Sequence, residues 1–268
     1  MNRPLLAALL LVMTCVSSLS WSNGGQSTDV DHVLFGTHDY IAFKGYLLGG
    51  GETEFPWIKS NMNWFFLGTE APDRDPKIAG GGTLYSDTAQ CHCILTDSTG
   101  QIVKRRGELR AKQEFEKAKA ALKGGNTKMA AFFAGAMAHY VGDLSQFGHV
   151  MGNGSQWMSV DASVHTRYEQ EVEATIDFRK RTSSLLESFI KNVAVSGETP
   201  EAIAVGVGAN TERADGIHNP RWMNDHYKQL MKKHKPNAED WDSDFRNQTG
   251  ESVNYSINAI AKLLKMIE

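Results

Sequence analysis

Cysteine is scarce in this sequence of 268 residues: three in all, Cys15, Cys91 and Cys93. A chain with so few does not depend on a disulfide framework. Long apolar runs are missing too. The stretch from Leu5 to Val12 is too short for a stable membrane span, and nothing later in the chain is long enough to be one. An excess of positive charge is also absent, with 28 basic against 31 acidic residues and a net charge of −3. A protein that holds nucleic acid by releasing counterions is usually basic, so stable nucleic-acid binding is not expected. Hydrolysis of a nucleic acid at a metal centre stays open. There is no internal repeat, no low-complexity tract and no evident linker.

The first twenty residues, "MNRPLLAALLLVMTCVSSLS", carry one positive charge at Arg3, then an apolar core, then small residues at Ser18 and Ser20. This is the three-part pattern of a secretory signal peptide. Cleavage after Ser20 would make Trp21 the new amino terminus. The expectation is a secreted protein, extracellular or periplasmic, with one catalytic domain over 21–268 and a monomeric state. Cys15 would leave with the signal. Cys91 and Cys93 flank His92 in "QCHCI", where they read as loop thiols, an unusual short-loop bridge or zinc ligands.

Helical signals dominate the remainder. "STDVDHVLFGTHDYIAFKGYLL" opens on Ser, Thr and Asp and spaces Val30, Val33, Leu34 and Ile41 as one helix face. "GELRAKQEFEKAKAALKGG" stops at Gly124 and Gly125. "KMAAFFAGAMAHYVGDL" is almost wholly small or apolar and should be buried on most faces. "HTRYEQEVEATIDFRKRTSSLLESFIKNV" reads as a long amphipathic helix. "TPEAIAVGV" and "NPRWMNDHYKQLMKKH" each place Pro after a capping residue, and Val253, Ile257, Ile260, Leu264 and Ile267 form a closing stripe. The fold class expected is all-α, a single-domain multi-helix bundle. Between Gly49 and Gln101 the glycine and proline clusters predict turns and loops, and a loop that long is usually functional. Asn153, Asn247 and Asn254 head glycosylation-type triplets.

The densest chemistry lies in "AHYVGDLSQFGHVMGNGSQWMSVDASVHTRYEQEVE". His139 precedes Asp143 by four residues and His165 precedes Glu169 by four, so each pair can share a helix face and address one ion. Single pairs of this kind are common surface contacts. Here two pairs are joined by His149, and Asp143 falls in the most apolar helix, where a buried carboxylate needs a partner. Imidazole with carboxylate suits zinc with positions left for water. His38 falls near the core-facing stripe of the first helix, where it reads as a ligand or a hydrogen-bonded core histidine. Asp73 and His92 sit in the irregular region. His32, His218, His226 and His234 read as ordinary surface or helix residues.

Taken in order, Trp21, His38, Asp73, His92, "HYVGDLSQFGH" and "HTRYE" resemble the zinc-dependent phospholipase C family of secreted bacterial enzymes. That superfamily is shared with the single-strand-specific S1/P1 nucleases. The resemblance implies three zinc ions. Asp73, His92, His139 and Asp143 would hold one. The amino group and carbonyl of Trp21, with His38 and a shared Asp143, would hold a second, and His149, His165 and Glu169 a third. It further implies that a metal-activated water attacks phosphorus, with Asp73 suggested as general base.

Glu169 matches the phospholipase branch, whereas the nuclease branch resembles His-x-x-x-Asp; "GTEAPD" is similar to a segment of clostridial members. A phospholipid at a membrane or micelle surface is therefore the expected substrate. A nuclease, with Trp157 to stack a base, is the alternative, followed by a non-catalytic zinc-binding protein. Arg74 and Ala89 stand where Bacillus-type enzymes carry choline-holding aromatics, which argues against a choline preference. Arg74 reads either as a contact for an anionic head group or as a solvated charge. Because the sequence ends at Glu268, the carboxy-terminal membrane-binding sandwich of clostridial toxins is not expected. Lipid contact would then fall to Trp57, Trp64, Phe65 and Phe66, which equally read as core.

Overall fold

The computed structural model describes residues 30–73, 77–78, 82–83, 92–96, 102–150, 162–212, 219–233 and 237–268. Helices build the architecture, as expected. They are α1 (Thr37–Gly49), α2 (Gly51–Glu54), α3 (Pro56–Lys59), α4 (Met62–Glu70), α5 (Gly107–Lys123), α6 (Thr127–Asp143), α7 (Phe147–Val150), α8 (Ala162–Glu173), α9 (Pro200–Glu212), α10 (Pro220–Lys233) and α11 (Ser243–Ile267). Extended structure among the described residues is limited to three antiparallel two-stranded pairs: β1 (Lys77–Ile78) with β2 (Gly82–Thr83), β3 (Ile94–Thr96) with β4 (Ile102–Arg105), and β5 (Ile176–Asp177) with β6 (Thr182–Ser183). No helix among the described residues is long and apolar enough to cross a membrane.

The apolar α6 is the central post, flanked by α4 and α5 and touched by α1, α3 and α11. Asn126 caps its start by accepting the Met129 N–H at 3.2 Å. Every residue from Ala134 to Asp143 is buried. Contact with α4 is backbone to backbone. A methyl group at Gly135 would be driven into the Phe65 carbonyl, and one at Gly68 into the Phe132 carbonyl. Only glycine on both helices permits so close an approach. The closing helix α11 is capped by Asp242, which accepts the Phe245 N–H at 3.0 Å, and packs along α1 and α9. Pro200 and Pro220 occupy first helical positions as the sequence indicates, with Thr199 and Asn219 accepting N–H groups of the opening turns.

Three expectations are corrected. The first helix begins only at Thr37, because Gly36 sits at its cap and donates its N–H to Asp39 Oδ2 at 2.9 Å; Leu34, assigned to the buried stripe, is 42% exposed. The stretch after Gly49 contains α2, α3 and α4 as well as loops. Trp57, Phe65 and Phe66 are core residues there, at 7%, 0% and 3% exposure, and Trp64 is half-buried.

Most consequentially, the long helix from His165 to Val193 does not exist. Helix α8 ends at Glu173, and the chain turns through the β5–β6 hairpin and a 3-10 turn, Glu187–Phe189. Asp177 Oδ1 accepts the N–H groups of Arg179 (3.0 Å) and Lys180 (3.1 Å), and the Thr175 and Ser183 hydroxyls meet at 2.7 Å. Short polar side chains here offer the backbone a turn that competes with the helix.

Candidate metal centre

Side chains from both halves of the chain converge at one end of α6. His38 enters from the first turn of α1, and Asp73 from the 3-10 turn that follows α4. His92 immediately precedes the β3 strand, His139 and Asp143 lie one turn apart at the end of α6, and His149 is on α7. His165 and Glu169 lie one turn apart on α8. All eight side chains are buried, at 6% exposure or less. Trp21, the ninth expected ligand, falls outside the described residues, as do Arg74, Ala89, Cys91, Asn153, Trp157, His218 and His234.

Asp143 is the hub. Its Oδ2 lies 2.7 Å from His92 Nδ1 and 3.2 Å from His139 Nε2, and its Oδ1 is 3.3 Å from His38 Nε2 and 3.8 Å from His149 Nε2. Asp73 Oδ1 stands slightly farther out, 3.6 Å from His139 Nε2 and 3.9 Å from His92 Nδ1. His139 Nε2 and His92 Nδ1 approach to 3.0 Å, while the His38 and His139 rings stack with centroids 3.9 Å apart. On the other side, His165 Nε2 is 2.7 Å from Glu169 Oε1, and His149 Nε2 is 4.0 Å from the same oxygen. Potential ligand atoms thus gather in three sets, the first two sharing His139: His38, Asp73 and His139; His92, His139 and Asp143; and, separately, His149, His165 and Glu169.

Burial and charge set the protonation states. Burial, helped by the nearby His139, lowers the His38 pKa to about 4, and burial lowers that of His149 to about 4 despite Asp143. Burial also holds His165 well below its usual value. These rings are therefore neutral near pH 7, the form that binds metals. His139 behaves differently. Burial depresses it, but Asp143 and Asp73 outweigh that and raise it to about 9. Burial likewise opposes ionisation of Asp143, yet His139, His149 and His92 together hold it well below the normal carboxylate range. Glu169 is pushed well above its usual range by burial and by Asp143 and Asp73.

Supporting contacts orient the donors. His139 Nδ1 donates to the Thr69 carbonyl at 2.7 Å, which turns Nε2 toward the cluster. The Thr69 hydroxyl donates to Asp39 Oδ1 at 2.5 Å, tying α4 to α1. Gln146 Nε2 donates to Glu169 Oε1 at 3.1 Å while its carbonyl oxygen accepts the Gly148 N–H. Gly148 has no side chain because a methyl there would press on the His165 ring, 2.7 Å from Nδ1. Cys93 Sγ lies 3.6 Å from His149 Nδ1, against the ring edge facing away from the carboxylates. Behind α8, Tyr168 stacks on Trp241 with centroids 5.5 Å apart and donates to Thr249 at 3.1 Å, which fixes the helix carrying His165 and Glu169.

The donor set fits a divalent cation of the zinc type. Imidazole nitrogens and carboxylate oxygens converge, with no Lys or Arg paired to these carboxylates among the described residues. The buried Nε2 atoms of His92 and His149 have no hydrogen-bond partner among the described residues, an expensive condition for a buried polar atom unless something else satisfies it. The sequence matches the family described as zinc dependent phospholipase C over residues 32–258.

The chain belongs to the zinc-dependent phospholipase C family.

Two solved structures share its fold. Alpha toxin from Clostridium absonum is 18% identical with a TM-score of 0.52; the match covers 91% of this chain and 65% of that one. Alpha-toxin of Clostridium perfringens from an avian strain is 18% identical with a TM-score of 0.50, covering 87% and 63% respectively. The chain therefore spans just under two thirds of those toxins. No curated protein matches the chain. Within this family's fold the sequence had not indicated Asp39, Thr69 or Gln146 as part of the site, and Cys93, offered there as a loop thiol, a short-loop bridge or a zinc ligand, lies against His149. Thr69 acts through its backbone, which no side-chain pattern can signal. Asp39, in the first turn of a helix, looks like an ordinary capping acid.

Proposed function

We propose that the protein is a secreted zinc-dependent phosphodiesterase that cleaves phospholipids to diacylglycerol and a phosphorylated head group. The observation that carries this reading is the Asp143 hub, where one buried carboxylate meets four histidines between two further carboxylates, in a member of the zinc-dependent phospholipase C family. Under this proposal Asp73, His92, His139 and Asp143 hold one ion. His38 and Asp143, with the amino group and carbonyl of Trp21, hold a second; His149, His165 and Glu169 hold a third. Signal cleavage after Ser20 would create the amino terminus that Trp21 needs, leaving one catalytic domain over 21–268. Zinc, when bound, supplies a nucleophilic water near neutral pH and offsets charge on the phosphoryl oxygens.

The chain's own residues do the rest. Neutral His149 and His165 keep their lone pairs available at physiological pH. The Thr69 carbonyl and Gln146 hold His139 and Glu169 in orientation. Asp73, less enclosed by histidines than Asp143, is the proposed acceptor of the proton from the attacking water. Exclusion of bulk water by the buried walls strengthens each of these interactions.

Phosphorus NMR of the zinc-loaded protein starting at Trp21 tests the reading. Mixed micelles of phosphatidylcholine, phosphatidylethanolamine and phosphatidylinositol are incubated beside a tube of single-stranded DNA. Phosphorylated head groups that disappear on chelation are the expected result. Nucleotide monophosphates with intact lipid would assign the nuclease activity instead, and silence in both tubes would refute the proposal.

A further inference from the structure

We propose that the β5–β6 hairpin is a docking element for an anionic lipid surface, presenting Phe178, Arg179 and Lys180 at its tip; this rests on the phospholipid reading above. Of the aromatics that the sequence offered for lipid contact, Trp57, Phe65 and Phe66 are core residues and Trp64 is half-buried. Phe178, by contrast, is 61% exposed, the most exposed of the large apolar side chains among the described residues. It opens a turn that reads Phe178, Arg179, Lys180, Arg181, three consecutive cations on a chain whose net charge is −3. Among the described residues neither Arg179 nor Arg181 pairs with a carboxylate. Lys180 reaches Asp177 at 3.3 Å across an exposed contact, which is worth little in water. An exposed aromatic beside basic residues is the composition that binds where acyl chains meet charged head groups.

The hairpin is held so that this tip projects. Arg181 has φ 54°, the left-handed region rarely used by a side-chain-bearing residue. That conformation lays its guanidinium over three rings, Phe43 at 4.9 Å, Phe66 at 5.1 Å and Phe35 at 5.7 Å, which bolts the turn to α1 and α4. Asp177 closes the turn from within by accepting two backbone N–H groups.

Beneath the tip runs a groove of about 490 Å³, lined among others by Leu34, Phe35, Phe66, Ile176, Phe178 and Arg181, with Glu173 as its acid. Two of its lining residues lie close in sequence to candidate metal donors. Glu173 lies one turn beyond Glu169 on α8, about 6 Å along the helix, and Phe35 precedes His38 by three residues. Leu34, 42% exposed, adds a second apolar contact at its rim. Insertion of Phe178 between lipids would set the mouth of this groove against the lipid surface.

The experiment is vesicle flotation of the full chain with Phe178→Ala and with the double variant Arg179→Ala, Lys180→Ala. Vesicles of phosphatidylcholine alone are compared with an equal mixture of phosphatidylcholine and phosphatidylserine, at low and at physiological salt. Release of phosphorylated head group is read separately in each tube. The wild type is expected to prefer the mixed vesicles and to lose binding as salt rises. Phe178→Ala should weaken partitioning about tenfold on both vesicle types. The double variant should weaken it about twentyfold on mixed vesicles only.

Variants that bind as the wild type does, while the wild type hydrolyses lipid, would overturn the docking proposal and leave the phospholipase reading intact. Binding lost in the variants with no hydrolysis by any form would uphold docking and refute the phospholipase. A wild type that ignores vesicles but retains single-stranded DNA through these cations would overturn docking as well. Phe178 is exposed, so unchanged circular dichroism and melting separate any loss from misfolding.

Discussion

Asp143 concentrates the function of the site in one side chain. Four imidazoles face its two oxygens within 3.8 Å, so it is both the proposed shared donor and, with Asp73, the charge that raises the His139 pKa to about 9. Asp143→Asn preserves its shape and removes that charge. Zinc affinity should fall by more than the roughly 10–100-fold loss typical of a supporting residue, measured by competition with a chromogenic chelator.

Asp39 offers a test that involves no ligand atom. Burial raises its pKa to about 7, above the usual 3.8. The fold therefore binds this proton more tightly than the unfolded chain does. Its stabilising contribution is fully present below about pH 4 and is lost as pH climbs through about 7. Asn at this position does not titrate, so Asp39→Asn should gain on the wild type by a few degrees of melting midpoint between pH 4.5 and pH 7.5. A difference that stays flat across that range would contradict the assignment.

Spacing made His139, Asp143, His165 and Glu169 legible from the sequence, because four residues on a helix return to one face. His38, Asp73 and His92 became candidates as a set only through a family resemblance, since neither loop position has a period to read. The Asn254 glycosylation triplet was misleading. Its side chain is 3% exposed and bonds Lys191 N at 3.0 Å, inside α11, whereas Asn247 on the same helix is exposed.

Among elements, α5 was readable from its glycine stop, α6 from its apolar run, α9 and α10 from a capping residue before Pro, and α11 from its apolar stripe. The stretch after His165 was not. Its apolar spacing suits a helix as far as Val193, but Asp177, Thr175 and Ser183 spend their side chains on backbone turns, a tertiary choice that periodicity does not record. Helix α4 was hidden by the glycine-rich segments around it, although its three core residues Phe65, Phe66 and Leu67 are now its clearest feature. The α4–α6 contact is the element-level weak point. Gly135→Ala should cost about 3 kcal/mol through the clash with the Phe65 carbonyl. In a chain of this size that lowers the melting midpoint by roughly 6–12 °C, as calorimetry would show. A midpoint unchanged by the substitution would mean that the two helices do not pack through their glycines.

At the level of the whole molecule, a bundle wrapped around one apolar helix has a clear purpose. It supplies rigid supports from α1, α6, α7 and α8 to a cluster of like and unlike charges that would repel or desolvate badly without an ion among them. The net charge is acidic, and the β5–β6 hairpin, with Arg179, Lys180 and Arg181 in succession, is a local basic exception to it. The all-α class followed from composition and period; the convergence of eight side chains spread from His38 to Glu169 could be seen only once the chain was folded.

Metal analysis of the protein beginning at Trp21, purified with zinc and freed of loosely held ions, tests the central claim most directly. Three zinc ions per chain are expected, one each for the proposed sets of Asp73, His92, His139 and Asp143, of Trp21, His38 and Asp143, and of His149, His165 and Glu169, all removed by a strong chelator. A chain that retains no zinc, with its fold intact, would contradict it.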